Sequence, residues 1–332
     1  MGIEEIMAKL DKKTRDRVEA ASNRNIEKLE LASIGLNKAL LGGVGMGRQT
    51  LVWGNKSAGK SSMCLQTIGL AQKQGKVCAW IDSESSFDPI WAEKLGVDTA
   101  QLIVSPAKDI DSWTQTICEL MKHGVDAIVA DSISSLIPST YFDKGEELKE
   151  GLEGTKQIGT MSKELGIAVN KFNFMNKNTA LVLISQARNK FNTYGAQLQP
   201  MGGEAMKFYS STVIKLWSSA SEREQITAEF SRGDKIISKP VGRPVNFTVE
   251  FNKFGPPNQM GAYDFYYAGD HVGVDQIGEI ADLAEKSDII RKSGAWYYYN
   301  EEKFQGRQKM VSWLRDNPII SEQISQEVLK NA

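Results

Sequence analysis

Short unbroken apolar runs alternate with stretches of helical period along most of this chain. Residues 51–53, 77–81, 127–130 and 180–184 are consecutive apolar positions. The last three end on polar residues: Asp82, Asp131 and the pair Ser185-Gln186. Between them, Leu65, Ile68 and Leu70, and then Trp113, Ile117, Leu120 and Met121, recur at helical spacing. Strands without polar alternation are buried on both faces, and helices between them supply the covering layers. The pattern therefore predicts an α/β fold built on a parallel, doubly covered sheet. In such sheets chemistry gathers beyond the carboxyl ends of the strands, where Asp82, Glu84, Asp131 and Gln186 all fall.

Outside this core the texture changes. Ile3, Ile6, Met7 and Leu10 form a narrow helical stripe among charged residues. Such a stripe either folds back on its own domain or docks on a partner, and the sequence leaves both open. Residues 245–251 alternate as a strand does, and Gly255-Pro256-Pro257 ends it. From His271 onward a helix (Ile277, Ile280, Leu283, Ala284), an aromatic strand (296–299) and a closing helix (Ile320, Ile324, Val328) predict a small α/β appendage. Two stretches, 138–156 and 189–203, show no regular period. Loops of that length inside a compact core usually carry function or are disordered.

One loop is explicit about its chemistry. Gly54-Asn55-Lys56-Ser57-Ala58-Gly59-Lys60-Ser61 fits G-x-x-x-x-G-K-[ST], between an apolar strand and a helical pattern that starts at Ser62. A glycine loop in that setting points backbone N–H groups into one concavity at the positive end of a helix dipole. Lys60 then reaches the β- and γ-phosphates and the Ser61 hydroxyl ligates Mg²⁺. The chain is expected to bind a nucleoside triphosphate.

Composition narrows the partners only slightly. The 332 residues are 41% hydrophobic and 24% charged, ordinary for a globular protein with a sizeable core. Forty basic and 41 acidic residues leave a net charge of −1, so any nucleic-acid surface must be local. Cys64, Cys78 and Cys118 lie in apolar segments without metal or redox spacing and read as core thiols of a reducing, cytoplasmic compartment. With only His123 and His271, a histidine metal site is not expected. The opening MGIEEIMAKLDKK is too charged for a signal peptide, and no apolar run has membrane length.

At the strand ends the residue types suggest roles. Asp131, closing an apolar strand, suits a water-mediated Mg²⁺ opposite the glycine loop, with a helix-cap role as the alternative. Asp82, Glu84 and Asp88 compete on composition to orient the attacking water, and Glu84 has the longest reach. Gln186 suits a γ-phosphate sensor or a strand-end residue bonding local backbone. Arg188, Lys190 and Lys207 bracket the second irregular stretch, with Phe191 and Tyr194 between them. Cations near phosphates and rings able to stack on bases make a sequence-indifferent single-strand site.

The succession GNKSAGKSS, CAWIDSESSFDPIWAEKLGVD, DAIVADSISSLIP, LISQARNKF, GGEAMKFYSS and SGAWYYY resembles the RecA family of homologous-recombination ATPases, in order and spacing from about Leu31 to Trp313. The resemblance implies a RecA-type P-loop core (31–270), a short N-terminal oligomerisation element (1–30) and a small C-terminal domain (271–332). It implies that Glu84 activates water and that Asp88 and Trp91 contact and stack on adenine. Asp131 would then be the Mg²⁺-associated acid, and Gln186 would link the γ-phosphate to DNA. Stretches 138–156 and 189–203 correspond to two DNA-binding loops, with Gly202, Gly203 and Lys207 where the second enters its helix. The N-terminal helix implies docking on a neighbouring subunit, giving a helical filament with ATP between protomers. Several positions depart from the family. Lys56 stands where the bacterial recombinases usually have glutamate. Of two intersubunit lysines only Lys253 survives, Phe251 replacing the other, so Lys253 is the sole candidate for a transition-state cation supplied in trans. The first loop shares little with the family's usual sequence, the second lacks its threonine run, and the sequence up to Ala332 shows no acidic tail. These departures imply a divergent bacterial or phage member.

The function expected is ATP- and Mg²⁺-dependent polymerisation on single-stranded DNA, with homologous pairing to duplex DNA and strand exchange. A ring-forming helicase on the same core, or a filament-forming mediator with negligible hydrolysis, would use much of the same sequence.

Overall fold

The computed structural model describes residues 2–15, 26–141, 159–189, 198–219, 221, 224–232, 235–269 and 271–330. Lys190, Phe191 and Tyr194, together with 142–156 of the first expected loop, lie outside the described residues.

Among the described residues eleven strands form the central sheet: β1 (Arg48–Gly54), β2 (Cys78–Asp82), β3 (Leu102–Pro106), β4 (Ala127–Asp131), β5 (Ala180–Asn189), β6 (Leu198–Pro200), β7 (Thr212–Trp217), β8 (Ile226–Arg232), β9 (Lys235–Asn252), β10 (Gln259–Tyr266) and β11 (Gly273–Val274). Their order is β11-β10-β9-β7-β1-β5-β4-β2-β3, with β8 on β9 and β6 on the end of β5. From β7 to β3 the neighbours run parallel. The remaining pairings are antiparallel. The expected mixed α/β fold with a mostly parallel sheet is what forms.

Alternation along each strand divides the apolar side chains between two cores. Val52, Trp80, Val129 and Val182 face one, packed against helix Lys60–Lys73 through Met63, Cys64 and Ile68. Leu51, Ile81, Ile128 and Leu183 face the other, covered by helices Ile110–Lys122 and Thr160–Met175. There Trp113 and Phe172 meet edge to face with centroids 5.2 Å apart. Register aligns the strand ends: Gly54 lies opposite Gln186, and Asp82 opposite Asp131. The polar residues that close the apolar runs thus share one edge of the sheet.

The C-terminal domain has its own core of Ile280, Ala284, Tyr297, Leu314, Ile324 and Val328. It packs helices Gln276–Lys286, Arg307–Asp316 and Pro318–Lys330 on an antiparallel three-stranded sheet. A polar clasp joins it to the main body. The buried Glu279 carboxylate accepts from Ser33 Oγ at 2.7 Å, Ile34 N at 3.1 Å and Gly35 N at 3.2 Å, at the start of helix Ile34–Ala39. Burial pushes its pKa up to about 8, outweighing those three donors.

Two regions answer questions that the sequence left open. Helix Ile3–Lys9 fully buries none of its residues; Ile3 and Ile6 are 66% and 49% exposed, while Met7 and Leu10 are half-buried, so among the described residues the apolar stripe is only partly covered. The second irregular stretch is more ordered at its end than expected, because β6 pairs with Ala187–Asn189. Three residues are too few to show a period. No helix of the described residues is long and apolar enough to cross a membrane.

Candidate nucleotide and nucleic-acid site

The glycine loop leaves β1 and enters helix Lys60–Lys73 through Gly59, whose φ of +80° is the left-handed conformation that glycine adopts without penalty. Gly54 is required for another reason: a Cβ there would fall 1.8 Å from the Leu216 carbonyl oxygen. The Lys60 ammonium folds back on the loop, donating to Gly54 O at 3.1 Å and Asn55 O at 2.7 Å. Burial lowers its pKa, with Asp131 and Glu84 opposing the shift. The cation is held at the mouth of the loop by two carbonyls that a phosphate oxygen can replace.

Asp131 is buried at the tip of β4. Desolvation pushes its pKa up to about 6, against the pull of the Ser61 hydroxyl and the Lys60 ammonium. A desolvated carboxylate beside a hydroxyl offers hard oxygen donors, so the pair fits a Mg²⁺ ion.

Glu84 sits at the convergence of three strand ends. Its Oε1 accepts from Ser132 Oγ at 2.5 Å, just beyond β4, and from Gln186 Nε2 at 2.8 Å, on β5. The Gln186 backbone N–H donates to Ser134 Oγ at 2.8 Å. The two rival carboxylates are engaged locally. Asp82 accepts from Ser86 N and Phe87 N at 3.2 and 3.0 Å and closes the turn. Asp88 caps helix Pro89–Lys94 by accepting from Ile90 N at 2.9 Å. The first turn of that helix brings Trp91 Nε1 to 3.3 Å from Ser62 Oγ. Trp91 and loop residues 57–62 thereby share a cavity of about 260 Å³ with Arg243, Val245, Phe265 and Tyr267.

Beyond Gln186, Arg188 lies opposite Gln199, and its Nε is buried without a hydrogen-bond partner among the described residues. Gly202 and Gly203, at φ +91° and +76°, turn the chain into helix Glu204–Tyr209. A Cβ on Gly202 would lie 2.6 Å from Met206 Cγ. Lys207 is turned elsewhere: its ammonium lies 2.9 Å from Glu250 Oε2 and 4.9 Å from the Trp53 ring centroid, and the Trp53 N–H donates to the same oxygen at 3.0 Å. Lys253 is exposed on an open hollow of about 850 Å³ shared with Lys207, Phe208, Glu250 and Phe251. It does not line the cavity at Lys60. Lys56 is exposed.

Sequence reasoning missed Ser132 and Ser134, which tie Glu84 and Gln186 together, and the wall of Arg243, Phe265 and Tyr267. The serines follow Asp131 directly, so a strand-end motif could have flagged them. The wall comes from β9 and β10, more than 150 residues from the glycine loop, and carries no local signal.

Family models match nearly the whole chain, as the RecA N-terminal domain over residues 1–270 and the RecA C-terminal domain over residues 278–332. Among curated relatives, Protein RecA of Laribacter hongkongensis is 33% identical over 317 residues, covering 93% of this chain and 83% of the relative. Protein RecA of Rhizobium leguminosarum bv. trifolii is 33% identical over 322 residues, covering 94% and 82%. With a glycine loop, strand-end acids and a C-terminal α/β domain in matching order, the chain belongs to the RecA family.

Proposed function

We propose that this chain is a DNA-dependent ATPase that polymerises on single-stranded DNA and catalyses homologous pairing and strand exchange. Residues 1–30 act as the oligomerisation element, 31–270 as the motor and 271–332 as an accessory domain. The observation that carries the reading is the 2.8 Å contact between Gln186 Nε2 and Glu84 Oε1. It joins the group suited to activating water with the strand that runs on to Arg188 and the second loop.

In this reading the loop N–H groups and Lys60 hold the triphosphate, and Asp88 and Trp91 hold adenine. Ser61 and Asp131 would hold Mg²⁺, which supplies charge neutralisation when bound. The γ-phosphate competes with Glu84 for the Gln186 amide. Drawing Gln186 away frees the Glu84 carboxylate to accept a proton from water aligned with phosphorus. The same movement pulls on β5 and sets Arg188, with Lys190 and Phe191, toward the DNA backbone and bases. Lys253 serves the neighbouring protomer, consistent with its exposure away from its own glycine loop. Gly202, Gly203 and Lys207 form the return of the DNA loop.

Electron microscopy with ATP and single-stranded DNA is the direct test. Continuous helical filaments are expected, whereas closed rings would favour a translocating helicase. Deleting residues 1–12, whose apolar stripe leaves Ile3 and Ile6 exposed, should leave a folded monomer that binds nucleotide and should abolish assembly in sedimentation. Long assemblies from the truncated chain would remove the N-terminal helix from the interface.

A further inference from the structure

Arg243 is a cation in the nucleotide cavity that none of the roles above uses. It is half-buried, and among the described residues no carboxylate pairs with it. Its guanidinium is instead held over the Tyr267 ring, 5.7 Å from the centroid. Strand period explains the placement. Arg243 and Val245 are two apart on β9, and Phe265 lies opposite Arg243 on β10, with Tyr267 two residues further. One face of this ribbon thus presents a planar cation on an apolar floor.

Trp91 lines the same cavity, and its N–H is anchored to Ser62 Oγ. Trp91 follows β2, whereas Arg243 sits on β9. In the sheet order these strands lie on opposite sides of β1, from which the glycine loop springs. The two flat groups therefore reach the same cavity from opposite sides of the strand that carries the phosphate loop. An indole and a guanidinium both prefer the face of an aromatic ring, and a stacked guanidinium keeps its N–H groups free at the edge.

We infer that Arg243 covers the face of the nucleobase opposite Trp91, so that the base is clamped between indole and guanidinium. Arg243 is then a base-binding residue supplied by the antiparallel wing of the same protomer, distinct from the cations that meet phosphate. This inference rests on nucleotide binding at the glycine loop.

Calorimetric titration of the full chain with Mg-ATP and, separately, with inorganic tripolyphosphate tests it. Arg243→Ala should weaken ATP binding about 3- to 30-fold, the range of a cation–π contact, and leave tripolyphosphate unchanged. Arg243→Lys keeps the charge but loses the plane, so it should restore affinity only in part. Equal losses for both ligands would make Arg243 a phosphate contact and overturn the clamp. An unchanged ATP affinity, or full restoration by lysine at an unaltered melting temperature, would overturn it as well. If the parent binds neither ligand, the nucleotide reading falls together with the clamp. If the parent binds both, only the clamp is at stake.

Discussion

Strand β5 is two structures in ten residues. From Ala180 to Ile184 every side chain is buried and apolar, shared between the two cores on either face of the sheet. From Ser185 onward the same extended backbone carries serine, glutamine and arginine, and exposure rises toward Asn189. The lower half is held by its neighbours: Leu183 pairs with Leu51 on one side and Ala130 on the other. The upper half is held by hydrogen bonds, from Gln186 to Glu84 and Ser134 and from Met201 N to Ser185 Oγ at 2.9 Å. Packing resists displacement from every direction, because close-packed atoms have nowhere to go. A hydrogen bond costs little to exchange for another of equal quality. One strand therefore combines a rigid root with a tip that can change partners, which is what a relay between two ligands requires.

Substitutions in the two halves should separate stability from function. The largest effect is expected at the root. Leu183 is fully buried, and Leu183→Ala should cost about 2–5 kcal/mol of unfolding free energy through lost burial and the cavity left behind. Denaturant titration reads this directly. The nucleotide dependence of DNA binding should survive in whatever fraction remains folded, and its loss at full occupancy of the fold would show that the root too is part of the relay.

The next effect is at the centre of the convergence. Glu84→Gln preserves shape and an oxygen for Ser132, but an amide does not accept a proton as a carboxylate does. Steady-state hydrolysis should fall about 10²- to 10⁴-fold, the usual contribution of a positioned general base. ATP affinity and melting temperature should stay near those of the parent. Turnover equal to the parent would assign the water to another group, with Asp82 and Asp88 already committed to backbone N–H donors.

The contrast within β5 also marks how far the sequence could be read. Its lower half was plain, because five consecutive apolar residues bounded by polar ones are too few for a helix and suit a strand buried on both faces. The same holds for the glycine loop, where strand, turn and helix signals agree over a dozen residues. Glu84 and Gln186 could each be placed at a strand end, but their contact could not. It depends on β4 lying between β2 and β5 and on registers that set Asp82 beside Asp131 and Ala130 beside Leu183, none of which a single chain states. Arg243 was less legible still, since only the antiparallel pairing of β9 with β10 brings it to the cavity. The N-terminal stripe marks a different limit. Its period identified the apolar face of helix Ile3–Lys9, but period says nothing about what covers that face, and among the described residues its first half, Ile3 and Ile6, stays exposed.

The smallest expected effect is the most specific to the tip. Gln186→Ala removes one hydrogen bond to Glu84 and leaves the apolar root, the Ser134 contact and the glycine loop in place. Stability and the binding of each ligand alone should change little. The coupling between the ligands should disappear. In the parent, ATP is expected to draw Gln186 toward the γ-phosphate and so raise DNA affinity, and linkage then obliges DNA to raise ATP affinity by the same factor, typically about 5- to 150-fold. Single-stranded DNA affinity is measured with a non-hydrolysable ATP analogue and with ADP, for both proteins and at one salt concentration. Fixed salt matters because each phosphate neutralised by a cation such as Arg188 steepens the salt dependence. The parent should show the difference and the variant should bind DNA equally in both nucleotide states. A variant that keeps the full difference would move the relay to Ser132 and Ser134, which span the same gap between β4 and β5. A parent without any difference would leave β5 as a structural strand with a polar end.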